Sequence, residues 1–491
     1  MLSPKTFLCP RRCLWLLPFF CLHLSRADDS SFGPLFQQFS LTLDSGHRSE
    51  ALGPFYYDQE IGKGEKATRL WAMPPLFSYS RNEDLDYETF DFIWKVLTFD
   101  RYGDEYRWQV LQLFSFAGGG TQSETNLHRT TLFPIYFQQR SKIPEKNYTA
   151  LVPIYGTIKQ RLFRDEIKFV LFPLYGQSRK RDVVTDNYLY PVFHYRHGEG
   201  LRGWQVWPLL GNEHKEVTTI TNGWGDVETN GGHDKFFALW PFFFNQRSGI
   251  GTGPMAHQQA LIPFYNYLRS PARDSTSYLW PLGVTHTEDR EKHYVEWGAP
   301  WPLVVFARGT GKNTSRIWPL FSHARGATQT SDWYLWPVYK YNRLHSDPLD
   351  RERTRVLFFL FSHVSMKNTE TGARLRQVDL WPLFTARRDL EGKSRLQILA
   401  PLEPILQNNA TVERDLSPLW SLWRSERNAQ TGATSQSLLW NLYRRDTTPE
   451  WKKCSLLFGF FQYQSGPEGR RWRVFYLPLG KSPAADGPAS R

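Results

Sequence analysis

Hydrophobic residues along this chain come in five-residue boxes, each centred on a proline and bounded by polar sequence. Clear copies are "MPPLF" (73–77), "LFPIY" (132–136), "LFPLY" (171–175), "LWPFF" (239–243), "IWPLF" (317–321), "LWPVY" (335–339) and "LWPLF" (380–384). About 23 such boxes can be placed, about 20 residues apart, from "FGPLF" (32–36) to a box centred on 478. Relative to the centre, positions −2 and +1 are apolar, −1 is often Trp and +2 is usually Phe or Tyr. Five apolar residues between polar flanks predict a short β-strand buried on both faces. The runs are too short for a helix, and a central proline would break one.

Between boxes the chain carries turn chemistry, as in "RGTGKN" (308–313), "DLEGK" (389–393) and "QSGPEG" (464–469). The expected fold is therefore all-β: a long antiparallel meander of about 20 to 24 strands, each centred on a box, forming a closed barrel or a strongly curved sheet. A stretch such as "SQSLLWNLYRRD" (435–446) then reads as one strand of about 12 residues, roughly 40 Å long. Parallel solenoid rungs fit less well, because the spacing wanders between about 17 and 23 residues. The widest gap holds a Gly-rich insertion at about 212–235, either an extended loop or a degenerate hairpin.

A proline in mid-strand loses a ladder hydrogen bond and bends the strand, so the repeated centre predicts a row of kinks. The exceptions, Lys95, Gln112, Phe359, Asn441 and Gly459, keep the flanking pattern. Strand parity would place Trp240, Trp280, Trp318, Trp336 and Trp381 on one face and Phe243, Phe321, Tyr339 and Phe384 on the other. A continuous belt of exposed Trp and Leu would instead mark a lipid contact.

Composition adds a location. In a chain of 491 residues, Lys5, Arg11 and Arg12 precede the apolar run Leu14–Leu24, and Ser25-Arg26-Ala27 offers a cleavage site, so 1–27 reads as a signal peptide. One repeat domain then fills 28–480, and a polar tail occupies 481–491. Three of the four cysteines fall in the signal segment, leaving Cys454 unable to form an internal disulfide. Removing the four signal-segment cations, Lys5, Arg11, Arg12 and Arg26, takes the formal charge from +12 to +8, a surplus that favours anionic partners such as membrane lipid or anionic polysaccharide. Nothing in the sequence marks nucleic-acid binding.

Six residues after the box centre an arginine recurs, including Arg81, Arg140, Arg179, Arg247, Arg308, Arg325, Arg343 and Arg388. On meandering strands these would mark both rims. They form either a collar paired with loop carboxylates or a set of contacts to lipid head groups or polysaccharide phosphates. No catalytic constellation, cofactor motif or metal-ligand spacing appears. His323 and His363 occupy equivalent repeat positions, and "GTGKNTS" (309–315) lacks the spacing of a phosphate loop and reads as a turn. Asn147, Asn313 and Asn409 head short glycosylation sequons. The expected function is a non-enzymatic, exported cell-envelope protein: an outer-membrane-associated β-barrel or curved sheet with a structural or transport role. The alternative is a soluble periplasmic or extracellular scaffold, binding surface or lipid carrier.

Overall fold

The structure, a computed structural model, describes residues 31–479 apart from 63–66, 94, 121–126, 222–224, 408, 410 and 468. The signal segment and the polar tail lie outside the described residues, as does Trp94. What is described is all-β, and 43 of its strands join one antiparallel sheet.

Most boxes fold back on themselves. In "IWPLF" the strand Lys312–Ile317 ends at the first residue of the box and the strand Phe321–Gly326 begins at the last, with Ile317 opposite Phe321 in the ladder. The apolar five-mer is thus a hairpin turn, which corrects both the strand placement and the expected count of 20 to 24. The stretch 435–446 likewise divides between the strands Thr434–Leu438 and Tyr443–Thr447. Since −1 and 0 lie in the turn, the predicted division of tryptophans and phenylalanines between sheet faces does not arise.

Proline suits this place. It has no N–H to leave unpaired, and its fixed φ favours chain reversal. The bonds Trp240–Pro241, Trp318–Pro319, Trp336–Pro337 and Trp381–Pro382 are cis, the form found in type VI turns. Ile135 N–H closes one such turn on Leu132 O at 2.7 Å, and Leu383 N–H closes another on Leu380 O at 2.7 Å. Several proline boxes begin on one positive-φ residue, as at Leu171, Leu239 and Leu335, whereas boxes without a central proline reverse through successive ones, at Leu111 and Gln112, at Leu357 and Phe358, and at Leu457, Phe458 and Gly459.

Strands are mostly five or six residues long, as in Tyr136–Arg140 and Phe321–Gly326, or roughly 20 Å. Successive side chains alternate between a packed face and an open face. The packed face carries small or polar residues, including Ser78, Gly156, Thr314, Ser322, Ser362 and Asp379. Tyr155, Trp297, Phe306 and Tyr334 stand on the open face and remain exposed. The small residues let short neighbouring strands cover one another; the packed face has one cluster of larger apolar groups, Phe137, Tyr148, Ile158 and Phe169.

Two segments leave the meander. Within the Gly-rich insertion, Thr218–Thr221 pairs with Val227–Asn230 as a separate hairpin. Its neighbours Leu210–Lys215 and Gly232–Ala238 pair directly in the main sheet, so the departure is shorter than 212–235. A second departure, residues 399–422, joins Ile398 to Trp423, which are ladder partners. It contains the helical turns Val412–Leu416 and Ser417–Trp420. The boxes centred on 401 and 418 both lie in this connection.

No ladder among the described residues joins the first strand, Phe36–Ser40, to the last, Leu477–Leu479, so the expected barrel closure is not present. The ends meet through side chains. Asn441 donates to Glu50 at 2.6 Å, Lys393 lies 3.2 Å from Asp44, the Arg444 guanidinium covers the Phe39 ring at 3.5 Å and Phe55 meets Trp440 edge to face.

Candidate functional site

From the box centred on 54 to the one centred on 459, every box outside the connection 399–422 is a turn at the same end of its hairpin, and the meander lines these turns up along one rim. Neighbouring boxes lie side by side, as expected. Their apolar side chains point away from the sheet: Leu279 is 65% exposed, Leu335 59%, Leu239 59%, Trp240 49% and Trp318 48%. Leu171, Leu209, Leu320, Phe242 and Phe358 extend the same row. An exposed apolar surface of this continuity exceeds what a soluble monomer ordinarily shows.

Much of the backbone of this rim is satisfied internally. Leu335 N–H donates to Leu320 O at 2.6 Å, Trp336 N–H to Pro319 O at 2.8 Å and Val338 N–H to Leu335 O at 2.8 Å; Pro337 has none to place. The box before the Gly-rich insertion and the one after it repeat the arrangement. Trp207 bonds Val192 O and Leu209 bonds Val206 O, while Leu239, Trp240 and Phe242 bond Leu209 O, Pro208 O and Leu239 O. Each turn thus hangs on the carbonyls of the turn before it. The first ladder pair behind the turns adds aromatic rings, with Tyr175 and Tyr188 at 5.3 Å and Tyr334 and Tyr339 at 5.9 Å.

The opposite rim is polar, built from turns such as Thr310–Gly311 within "GTGKNTS". The predicted arginines all sit there, on strands that run from the apolar rim to the polar one, and mark one rim instead of two. Their partners differ. Arg140 and Arg308 each reach across to the next strand: Arg308 Nη1 donates to Ala307 O and Thr314 O and Nη2 to Ser315 Oγ, and Arg140 makes the same set with Gln139 O, Tyr148 O and Thr149 Oγ1. Arg325 pairs with Asp332 at 2.6 Å and Arg343 with Asp350 at 2.8 Å; Arg81 lies 3.6 Å from Glu83 and Arg179 3.9 Å from Glu166. Arg247 and Arg388 are exposed with no ion pair among the described residues.

The connection 399–422 was not legible as a site in the sequence. Arg414 lies 3.0 Å from Asp91 and 2.8 Å from Asp415, and Ser78 donates to Asp415 at 2.7 Å. Tyr57 donates to Arg414 O, while at the other side Gln407 donates to Asp379 and Trp381 Nε1 to Pro401 O. This clasp therefore ties strands near the start of the sheet to strands near its end. Burial holds the carboxyls of Asp91 and Asp379 above the ordinary range; Arg414 opposes the shift at Asp91, as Thr385, Gln377 and Gln407 do at Asp379. The signal was a break in rhythm, since the boxes at 401 and 418 are separated by "EPILQNNATVERD" with neither turn glycine nor strand alternation.

Beside the clasp, between the first strands and the region 387–444, lies a cavity of about 620 Å³. Four of its lining arginines are matched: Arg48 with Glu50 at 2.6 Å, Arg395 with Glu413 at 2.8 Å, Arg424 with Glu426 at 2.6 Å and Arg444 with Asp446 at 2.7 Å. A second paired group lies elsewhere on the packed face. Burial would raise the Glu213 carboxyl, but the His233 hydrogen bond and the charges of Arg196 and Lys235 outweigh it and bring the pKa down to about 2. Among the described residues no group of three His, Cys, Asp or Glu side chains is arranged for a metal ion, and no helix is long and apolar enough to cross a membrane.

The chain matches no protein-family model and no curated protein. Function must be argued from geometry.

Proposed function

We propose that this is a non-enzymatic membrane-associated protein whose apolar rim enters one leaflet of a lipid bilayer while the sheet stands outside it. One observation carries the reading: a row of exposed Leu, Trp and Phe turns most of whose backbone donors are bonded within the turn or to the turn before it. Hydrocarbon tolerates irregular backbone only where its polar groups are satisfied internally, and proline removes one donor from each box in advance. The Tyr and Phe pairs just behind the turns stand at the height where aromatic side chains anchor proteins at the membrane interface.

A spanning barrel fits less well. Strands of five or six residues fall short of the nine to eleven or so that cross a bilayer, and the apolar residues crown the turns instead of forming a mid-strand belt. A lipid carrier needs an apolar lining, whereas the packed face is rich in Ser, Thr, Asp and Gln. The role proposed is structural or transport-related at an envelope membrane reached by export. The polar rim, where Arg247 and Arg388 have no ion pair among the described residues, would face outward toward anionic polysaccharide.

The test is flotation of the purified mature chain with neutral phosphatidylcholine vesicles. The chain should float, and its tryptophan emission should shift to the blue. Replacing Leu239, Leu279, Leu320 and Leu335 by Ser should lower vesicle affinity at least tenfold, since each buried leucine contributes on the order of 1–2 kcal/mol. Equal flotation of the quadruple variant, or none by the wild type, would remove the reading. Rim-to-rim association of two copies would appear instead as a dimer that vesicles do not dissociate.

A further inference from the structure

The second ladder pair behind the apolar turns forms a row across the packed face. From the first box centre to Val305 this row holds no lysine or arginine: it reads Ser78, Thr98, Phe137, Gly156, Gly176, Gly211, Ala260, Thr285 and their like. It then changes. Arg316 lies opposite Ser322, Ser322 opposite Trp333, Trp333 opposite Lys340, Lys340 opposite Arg355 and Arg355 opposite Ser362.

Lys340 and Arg355 are like charges directly opposed, an arrangement that costs stability in a sheet. Arg353, two residues along the same strand, adds a third charge on the same face. No carboxylate lies within ion-pair distance of these three among the described residues. Asp379, opposite Ser362 in the next ladder, is engaged by Thr385, Gln377 and Gln407. Two buried groups beside the cations have no hydrogen-bond partner: Arg353 Nε, and Ser362 Oγ on a residue only 3% exposed. Burial and the neighbouring Arg355 charge lower the Lys340 pKa, and burial with Arg355 and Arg351 lowers that of Arg353 despite the opposing charge of Asp379.

From this we infer that Lys340, Arg353, Arg355 and Ser362 form a binding site for a phosphate group. The cluster supplies two forked guanidinium donors, an ammonium and a hydroxyl, the donor set that a tetrahedral dianion accepts. An apolar ligand or a cation is excluded by the same charges. The phosphate has two possible sources, free phosphate or the head group of an anionic lipid. Only the second rests on the proposed insertion of the rim, which would bring the row to head-group height.

The experiment uses the full mature chain and a Lys340→Gln, Arg355→Gln variant, with Ser362→Ala as a milder second variant and Lys142→Gln, at an exposed cation remote in sequence from the cluster, as control. Thermal unfolding is followed with and without inorganic phosphate, and vesicle binding is measured on neutral and on phosphatidic-acid vesicles. If the source is free phosphate, it should raise the melting temperature of the wild type and the control by about 2 °C or more, and that of the double variant not at all. A lipid source should give at least tenfold tighter binding to phosphatidic-acid than to neutral vesicles, a preference that the double variant loses and Ser362→Ala weakens. Without phosphate, the double variant should melt no lower than the wild type, because it removes a repulsion. The site is overturned if neither phosphate response differs between the wild type and a folded double variant. Failure of the rim reading is separate, for it would abolish binding to neutral vesicles and leave the phosphate-dependent melting shift in place.

Discussion

At the scale of single residues, the same side chain does different work according to its place in the ladder. Arg308 and Arg247 occupy equivalent box positions, yet Arg308 bonds two backbone carbonyls and Ser315 across a strand pair, whereas Arg247 has no ion pair among the described residues. Arg308→Ala should therefore cost about 1–2 kcal/mol in urea unfolding, and Arg247→Ala less than about 0.5 kcal/mol. Arg414 is more demanding, because its loss leaves Asp91 and Asp415 buried together without a counter-charge. Arg414→Ala should cost about 3–5 kcal/mol, and adding Asp415→Asn should recover part of it. Glu213 gives a pH signature. Its folded pKa, about 2, lies below the ordinary 4.5, so its contribution is full above about 4.5 and is lost as the pH falls from there toward 2. After screening by solvent, Glu213→Gln should remove about 1–2 kcal/mol at neutral pH and flatten the acid limb of stability between those values.

At the scale of the element, the unit is a hairpin with one apolar and one polar turn. Five apolar residues around proline read equally well as a buried strand or as an exposed reversal, since both use the same side chains. The proline decides for the turn only once the ladder is seen to lead Ile317 straight to Phe321. Boxes without proline reach the same reversal through positive φ, as at Phe358 with φ 61°. A side chain pays a steric cost there that glycine does not. Phe358→Gly should therefore stabilise the hairpin by about 0.5–1 kcal/mol in equilibrium unfolding while weakening vesicle binding, because it removes an exposed ring from the rim. A loss of both stability and binding would mean that Phe358 packs within the fold and is not available to a membrane.

At the scale of the whole molecule, the sheet's two ends are joined by side chains and by the clasp, with no ladder between them among the described residues. Cysteines placed at Glu50 and Asn441 in a Cys454→Ser background should be bridged within one chain by a short bis-maleimide, because those side chains are in hydrogen-bond contact. Disrupting the clasp with Arg414→Ala should reduce that yield by at least half, whereas bridging between chains alone would show that the ends part in solution. Such side-chain closure has lower cooperativity than a ladder, so the ends are where opening should begin.

The all-β class, the antiparallel meander and the side-by-side order of the boxes follow from the sequence alone, because apolar five-mers alternating with Gly and Asn turns leave no room for a helix or for parallel crossovers. The arginines at one offset were equally legible, since that offset is counted along the chain. Tertiary structure alone decided that the boxes of the meander are turns, that these turns share one rim and that the arginines share the other. The reason is non-local: a turn's donors are satisfied by carbonyls of the preceding turn, some 20 residues away, and no window of sequence contains both partners. The same holds for Lys340, Arg355 and Ser362. Their meeting is fixed by the register of three strands, and register is a property of the assembled sheet.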